Sequence, residues 1–385
     1  MRIFLSCQQA LQKHNVPTYS FWETYFKNGI EEAKHEWIEA NKVDWAEGLV
    51  YFNEDDLKKW RDRTWNLTLS AIKRQHQIKP IDLFLSYLFP KQVEPSIIQD
   101  IQALGIPCVN FFCDNVRNFK QIPKEFHCFD LHWVPEFKAL KMYQQAGLNY
   151  IYAPMPVWIA PEYRHSNHPE NYGISFIGSR DIQRERLFAE AIKSGINLEI
   201  RGAGWIFNYT ENIQGCPKLS QNILQKINNQ KQIIGNDSLM FWLRKIKSKF
   251  VTKIPDEVFI SSVKEKPNFN EYIKITQQSQ ITLGVNRYPS FHYPFNQPDT
   301  YSRMRDIEAP MLGACYLTEW TEGLEDLYEL GEEIETYTSI EEMKEKIYYL
   351  IASSQKRRTM RAKAQIRALE KHNILSSLDK VIRSL

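Results

Sequence analysis

Apolar residues recur along this 385-residue chain in short blocks at the spacing of alternating strands and helices. Residues 2–7 read as a strand, and 21–33 place Phe21, Trp22, Tyr25 and Ile30 largely on one side of a helix. A second strand candidate, 36–39, precedes a long polar and aromatic helix over 54–77. Strands return at 82–86, 107–113 and 131–134, with helices at 95–104 and 136–146, the latter stopped by Gly147. Ala153-Pro-Met-Pro-Val157 and the polar stretch 162–170 then mark a proline-stiffened hinge. Beyond it, strands are predicted at 174–177, 197–200, 281–285, 314–317 and 334–337. Helices are predicted at 269–278, 301–312, 340–353 and 355–372. The pattern predicts an α/β protein of two Rossmann-like domains facing each other across a cleft. The domains are 1–155 and 156–365, with 366–385 as a helix returning to the first.

One segment exceeds what this rhythm needs, 208–253. Within it Leu239, Trp242, Leu243, Ile246 and Phe250 follow helical spacing, and Arg244, Lys245, Lys247, Lys249 and Lys253 supply a basic side. Residues 239–253 are therefore either a helix docked on the protein or a contact for an anionic membrane surface.

Composition narrows the classes. Hydrophobic residues make up 43% and charged residues 25%, enough for a full core. The net charge of +3 gives no electrostatic reason for a nucleic-acid partner. Six cysteines without a C-x-x-C pair read as thiols of a reducing compartment. No apolar run approaches 18 residues, so the chain is expected in the cytoplasm, at most peripheral to the inner face of the membrane.

In open parallel sheets, ligands bind beyond the carboxyl ends of strands. In the first half that rule selects Ser86-Tyr87, Asp114-Asn115 and Glu136. Asp114 follows an apolar strand directly, so its carboxylate is either a general base at a cleft mouth or the cap of a turn. In the second half, Gly178-Ser179-Arg180 ends a strand and opens a helix carrying Arg184 and Arg186. Small residues there let a phosphate approach the backbone while arginine neutralises it. The turn at Gly202-Ala-Gly204 is too irregular for a G-x-G-x-x-G fingerprint. Arg287 follows the strand 281–285. In the run Pro298 to Trp320, Arg303 and Arg305 open a predicted helix whose N-terminal amides would meet an anion, and Glu308 lies one to two turns further in. A carboxylate there can accept the two vicinal hydroxyls of a ribose.

Arg305-Asp-Ile-Glu308-Ala-Pro-Met-Leu-Gly313, followed by Glu322-Gly-Leu-Glu and Gly331-Glu-Glu-Ile, resembles the C-terminal half of GT-B glycosyltransferases, most of all the CgeB-like branch. The resemblance covers roughly residues 170–380. It implies a glycosyltransferase that moves a sugar from a nucleotide-diphosphate sugar to an acceptor hydroxyl of a glycan, a lipid-linked sugar or a protein, envelope and surface glycans included. It makes the first domain the acceptor side and the second the donor side. The implied donor contacts are Gly178, Ser179, Arg180, Arg184, Gly204, Arg287, Arg303, Arg305 and Glu308, with Asp114 as catalytic base. No D-x-D triplet stands at a strand end, so neither a catalytic metal nor a cofactor is expected. Retaining relatives usually carry two glutamates eight positions apart; Glu308 fits the second, but Thr300 stands at the first. That departure leaves open a non-catalytic nucleotide- or carbohydrate-binding protein, or a sugar-nucleotide epimerase.

Overall fold

A computed structural model describes residues 1–12, 14, 20–50, 53–205, 254–288 and 299–385. The expected basic segment 239–253 lies outside the described residues. The chain forms two compact units. The first comprises Met1–Trp158 and His372–Leu385, the second the described residues within 159–371.

The first unit runs β1 (Arg2–Ser6), α1 (Ser20–Glu32), β2 (Glu36–Ile38), α2 (Glu54–Ile78), β3 (Leu83–Ser86), α3 (Pro95–Gln102), β4 (Cys108–Phe111), α4 (Asn115–Asn118), β5 (Leu131–Val134), α5 (Phe137–Gln145) and β6 (Tyr150–Tyr152). Its six strands lie in the order β2-β1-β3-β4-β5-β6, every pair parallel. Strands β1, β3, β4 and β5 are buried throughout, as continuous apolar runs in a sheet covered on both faces must be. Asn53 caps α2 by accepting the Asp55 amide at 2.8 Å, and three acidic residues fill that helix's first turn.

The second unit runs β7 (Tyr172–Ile177), α6 (Ile182–Lys193), β8 (Leu198–Arg201), β9 (Val263–Lys264), α7 (Phe269–Gln278), β10 (Ser279–Gly284), α8 (Arg305–Met311), β11 (Tyr316–Glu319), α9 (Leu324–Leu327), β12 (Glu335–Tyr337), α10 (Ile340–Ala352) and α11 (Ser354–Lys371). Its sheet is again parallel, in the order β12-β11-β10-β7-β8-β9. Ile174, Phe176, Leu198, Ile200, Ile281, Leu283 and Leu317 form its buried centre, with Leu187 and Phe188 of α6 and Met343 and Ile347 of α10 packed on it. Arg361 of α11, 2% exposed, donates to the carbonyls of Gln277, Gly313 and Ser279, so one buried cation joins α7, β10 and the turn after α8. Such a charge is tolerated because each carbonyl replaces a lost water.

The five described cysteines, Cys7, Cys108, Cys113, Cys128 and Cys315, are free thiols. No described helix is long and apolar enough to cross a membrane.

The last helix, α12 (Ile374–Arg383), belongs to the first unit, and the residues before His372 stay with the second as the end of α11. The Ile374 amide donates to the Val157 carbonyl at 3.1 Å, and Ser377 Oγ donates to the Pro154 carbonyl at 3.2 Å. Gly29 of α1 faces Ile374 so closely that a Cβ would overlap its side chain. Replacing Gly29 by Ala should therefore destabilise the first unit by about 1–3 kcal/mol through overpacking. Equilibrium denaturation of G29A, I374A and the double variant tests this contact. The double variant should lose less than the sum of the singles, and strict additivity would show that the two residues do not press on each other.

Candidate functional site

In the second sheet the strand order reverses direction between β7 and β10, which is the crevice where doubly wound folds bind ligands. Three segments leave the sheet there. After β7 and β8 the pairing continues into the turns: Gly178 N–H donates to the Arg201 carbonyl at 2.8 Å and Arg180 N–H to the Ala203 carbonyl at 2.9 Å. Gly202, at φ 141°, lies against Gly178, and a Cβ there would come within 2.6 Å of the Gly178 carbonyl carbon. Only glycine permits that approach. Gly204 completes the turn at φ 82°. Trp205 Nε1 donates to the Gly178 carbonyl at 2.8 Å while its ring packs with Phe188 and Phe259. Fully buried, Trp205 is a core residue and offers no face to a base.

The arginines at these strand ends fall into two groups. Arg180 is already engaged, donating to Glu185 Oε2 at 2.8 Å, to Asp256 and to the Ile254 carbonyl at 2.8 Å. It joins the turn after β7 to residues 254–259. Arg287 is forked against Glu319 at 2.5–3.2 Å, and Glu319 also accepts the Asn286 and Arg287 amides. The paired carboxylate holds the Arg287 charge against the burial that opposes it. In the ligand-free chain these two guanidiniums serve the fold.

Arg184, Arg303 and Arg305 behave differently. Arg184 donates to the Ser179 carbonyl at 2.8 Å and lies 3.3 Å from Ser179 Oγ. Arg303 donates to the Arg287 carbonyl at 2.6 Å and stacks on Tyr301 with its guanidinium 4.7 Å from the ring centre; among the described residues its buried Nε has no hydrogen-bond partner. Arg305 donates to the Ile177 carbonyl and lies 5.5 Å from the Tyr272 ring centre. Burial, and then the charge of Arg303, push Arg184 down to about 10; Asp181 opposes this and Arg305 adds to it. Arg184 is thus held close to like charges against their repulsion. A multiply charged anion relieves that repulsion and supplies the acceptor that Arg303 Nε lacks.

A residue not singled out from the sequence holds this arrangement. Asp306 is fully buried and accepts from Asn286 Nδ2 at 3.1 Å, Ser302 Oγ at 3.0 Å, the Arg303 amide at 2.9 Å, Tyr316 Oη at 2.8 Å and Thr318 Oγ1 at 3.2 Å. Burial raises its proton affinity, and these donors oppose the rise. The same contacts correct the expected helix over 301–312. Tyr301 N–H goes to the Asn286 carbonyl and Arg303 N–H to Asp306, so the helix begins only at Arg305. The amides of Asp306, Ile307 and Glu308 are also bonded, to the carbonyls of Arg303 and Met304. The expected amide cradle is thus spent within the chain, and guanidiniums carry the positive charge. Asp181 likewise caps α6, accepting the Gln183 and Arg184 amides at 2.9 and 3.1 Å. Glu308, 5% exposed, accepts the Tyr272 hydroxyl. Thr300, where relatives of the expected type have glutamate, forms an antiparallel bridge with Arg287.

In the first unit, Asp114 stands at the N-cap position of the short helix α4, with no capping bond from its side chain among the described residues. Its carboxylate lies 3.6 Å from Arg117, and its carbonyl accepts the Asn118 amide at 3.1 Å. Glu136 at the end of β5 accepts the Asn115 amide at 2.6 Å. Gln8, at φ 62° just beyond β1, is buried and donates to the Tyr87 carbonyl at 2.7 Å and Gln92 Oε1 at 2.9 Å. A strained non-glycine residue at a strand end has no local sequence signature, so Gln8 was not visible beforehand. Among the described residues, no group of three His, Cys, Asp or Glu side chains is arranged to hold a metal ion.

Solved structures share this architecture across the whole chain. Sucrose-phosphate synthase from Thermosynechococcus elongatus superposes with a TM-score of 0.56 at 11% identity, covering 99% of this chain and 98% of that one. HepE of Anabaena, solved with UDP, gives 0.52 at 12% identity and full coverage of both chains. The lipopolysaccharide outer core galactosyltransferase WaaB gives 0.52 at 11%, also with full coverage of both. Two parallel six-stranded α/β sheets with these neighbours define the GT-B fold of glycosyltransferases. The profile of the glycosyl transferase-like family matches residues 183–382, more than half of the chain, and the chain belongs to that family. No curated protein matches the sequence significantly.

The Asp306 contacts make a prediction. Asp306→Ala orphans several buried donors at once and should destabilise the second unit by about 3–5 kcal/mol. Denaturant titration checks this, and a loss below about 1 kcal/mol would show that water replaces the carboxylate.

Proposed function

We propose that the protein transfers a sugar from a nucleotide-diphosphate sugar to an acceptor hydroxyl. The observation that carries this reading is the set Arg184, Arg303 and Arg305 at the β7/β10 switch point, with a buried Arg303 Nε that has no acceptor among the described residues. Three fixed cations fit a diphosphate, whose charge grows as the bond to the sugar breaks. Glu308 then receives the ribose hydroxyls, exchanging the Tyr272 hydroxyl for them. Gly178, Ser179 and Gly204 bring backbone close to the phosphates, while Arg180 and Arg287 hold the turns that shape the site. Structures of the same fold in complex with UDP and UDP-glucose support the donor class.

In the reaction, the anomeric carbon–oxygen bond of the donor breaks and the nucleoside diphosphate departs with the electron pair. The acceptor oxygen forms the new bond, and Asp114 takes its proton. The arginines supply the charge neutralisation that a metal ion gives in other transferases, which supports metal-independent transfer by a member of the CgeB-like branch. The acceptor class in this reading is a glycan, protein or lipid-linked sugar met by a cytoplasmic enzyme, with 239–253 as a contact to the membrane surface. Thr300 in place of the first glutamate favours one second reading, a nucleotide-binding protein without transfer.

Calorimetry with UDP or GDP in EDTA should give binding, with Arg184→Ala, Arg303→Ala and Glu308→Ala each weakening it by about 1–3 kcal/mol. Binding abolished by chelation would remove the metal-free claim, and unchanged affinity in all three variants would move the donor site elsewhere. Release of nucleotide from a panel of sugar nucleotides, seen only with acceptor present, separates transfer from epimerisation and from simple binding.

A further inference from the structure

Outside the donor site, one buried acidic group has no task in the account above. Glu136, 1% exposed, sits at the carboxyl end of β5. Its Oε2 accepts the Asn115 amide at 2.6 Å, the Val116 amide also acts on the carboxyl group, and among the described residues its buried Oε1 has no hydrogen-bond partner within normal geometry. Asn115 directly follows Asp114, so this bond pins the peptide next to the candidate base. Asn115 is held on its other side as well: Nδ2 donates to the Phe112 carbonyl at 2.9 Å, and Oδ1 accepts the Tyr143 hydroxyl from α5 at 2.9 Å. The titratable groups facing this pocket are Asp114 and Cys113 from the end of β4, Tyr143 from α5 and, behind Tyr143, the His132 ring at 4.9 Å. Arg117, on α4, reaches Asp114. Among the described residues no cation is paired with Glu136 itself, and the charge that acts on it is the Asp114 carboxylate.

We propose that Glu136 positions Asp114: by holding the Asn115 amide it fixes the strand-end turn that presents the Asp114 carboxylate, and ionisation of Glu136 releases that turn. This rests on the transferase reading only for its catalytic consequence. Burial first, and the charge of Asp114 second, push Glu136 up to about 8. The sign follows from proton linkage. Folded Glu136 holds its proton in a range where the unfolded group has lost it, so its contribution to stability is whole below the ordinary glutamate range and declines as pH rises to about 8. The Asn115 and Val116 amides favour the ionised form, but burial outweighs them, and in this proposal the ionised side chain leaves the pocket for water.

The test compares wild type with Glu136→Gln, in which the amide oxygen can still accept from Asn115 but the side chain cannot ionise. Amide hydrogen exchange at Asn115, corrected for the intrinsic effect of pH, should lose protection about tenfold per pH unit as pH rises toward about 8 in wild type, level off above it, and stay constant in E136Q. Sugar transfer should show an alkaline fall in kcat at the same pH in wild type, absent in E136Q, with little change in the donor KM. The wild-type pH series carries the exchange test alone if the variant folds poorly. Constant Asn115 protection through pH 9 in wild type, or the same loss in E136Q, overturns the proposal. A loss of protection confined to wild type, with no transfer by either protein, would sustain the hold on the turn and count against the transferase reading instead.

Discussion

The buried Asp306 carboxylate is the constraint on which the strand ends at the second unit's switch point depend. Taking a carboxylate out of water costs several kcal/mol, and here the cost is offset by donors from three different segments. Because these donors come from the ends of β10 and β11, from the loop at 302–303 and from the β11 residue Tyr316, one side chain fixes their mutual spacing. Gly284 has no room for a Cβ beside Thr318 and Tyr316, so the packing around the carboxylate tolerates no added bulk. Arg303 is aimed from a peptide bonded to that carboxylate, and Arg287 from a strand end sealed by Glu319. The cationic group is thus precise because its backbone is anchored by acids.

That division explains why five arginines of similar appearance do different work. Arg180 and Arg287 each meet a buried carboxylate and become struts. Arg184, Arg303 and Arg305 donate to carbonyl oxygens, and their carboxylate contacts are looser: Asp181 lies 3.5 Å from Arg184, and Glu308 and Asp306 act on Arg305 through charge alone. Arg184 therefore feels the repulsion of its two neighbours, as Arg180 and Arg287 do not.

Much of the architecture was legible in the sequence because parallel strands buried on both faces leave continuous apolar runs, as in 82–86 and 281–285. The turn glycines were legible as well, since Gly202 and Gly204 break an apolar run abruptly. Partnerships were not. Nothing near Arg287 announces Glu319, which lies on another strand, and Asp306 looks no different in sequence from Glu308 two positions later. The start of α8 was misplaced for the same reason: residues 301–303 have helical spacing, but tertiary acceptors take their amides. Trp205 shows the limit from the other side, because its burial depends on Phe188 and Phe259 rather than on its own neighbours.

Helix α12 also sets the order in which the protein can assemble. It packs in the first unit against α1 and the segment 154–157, yet it is encoded after the whole of the second unit. During synthesis the first sheet therefore waits, with the Ile374 site on α1 open to solvent, while the second unit emerges and folds. The closing contact joins distant parts of the chain, so it is expected to form late and slowly. Until residues 374–383 have left the ribosome, an apolar face on the nascent first unit has no cover, and a chaperone that shields it is a natural companion of this topology.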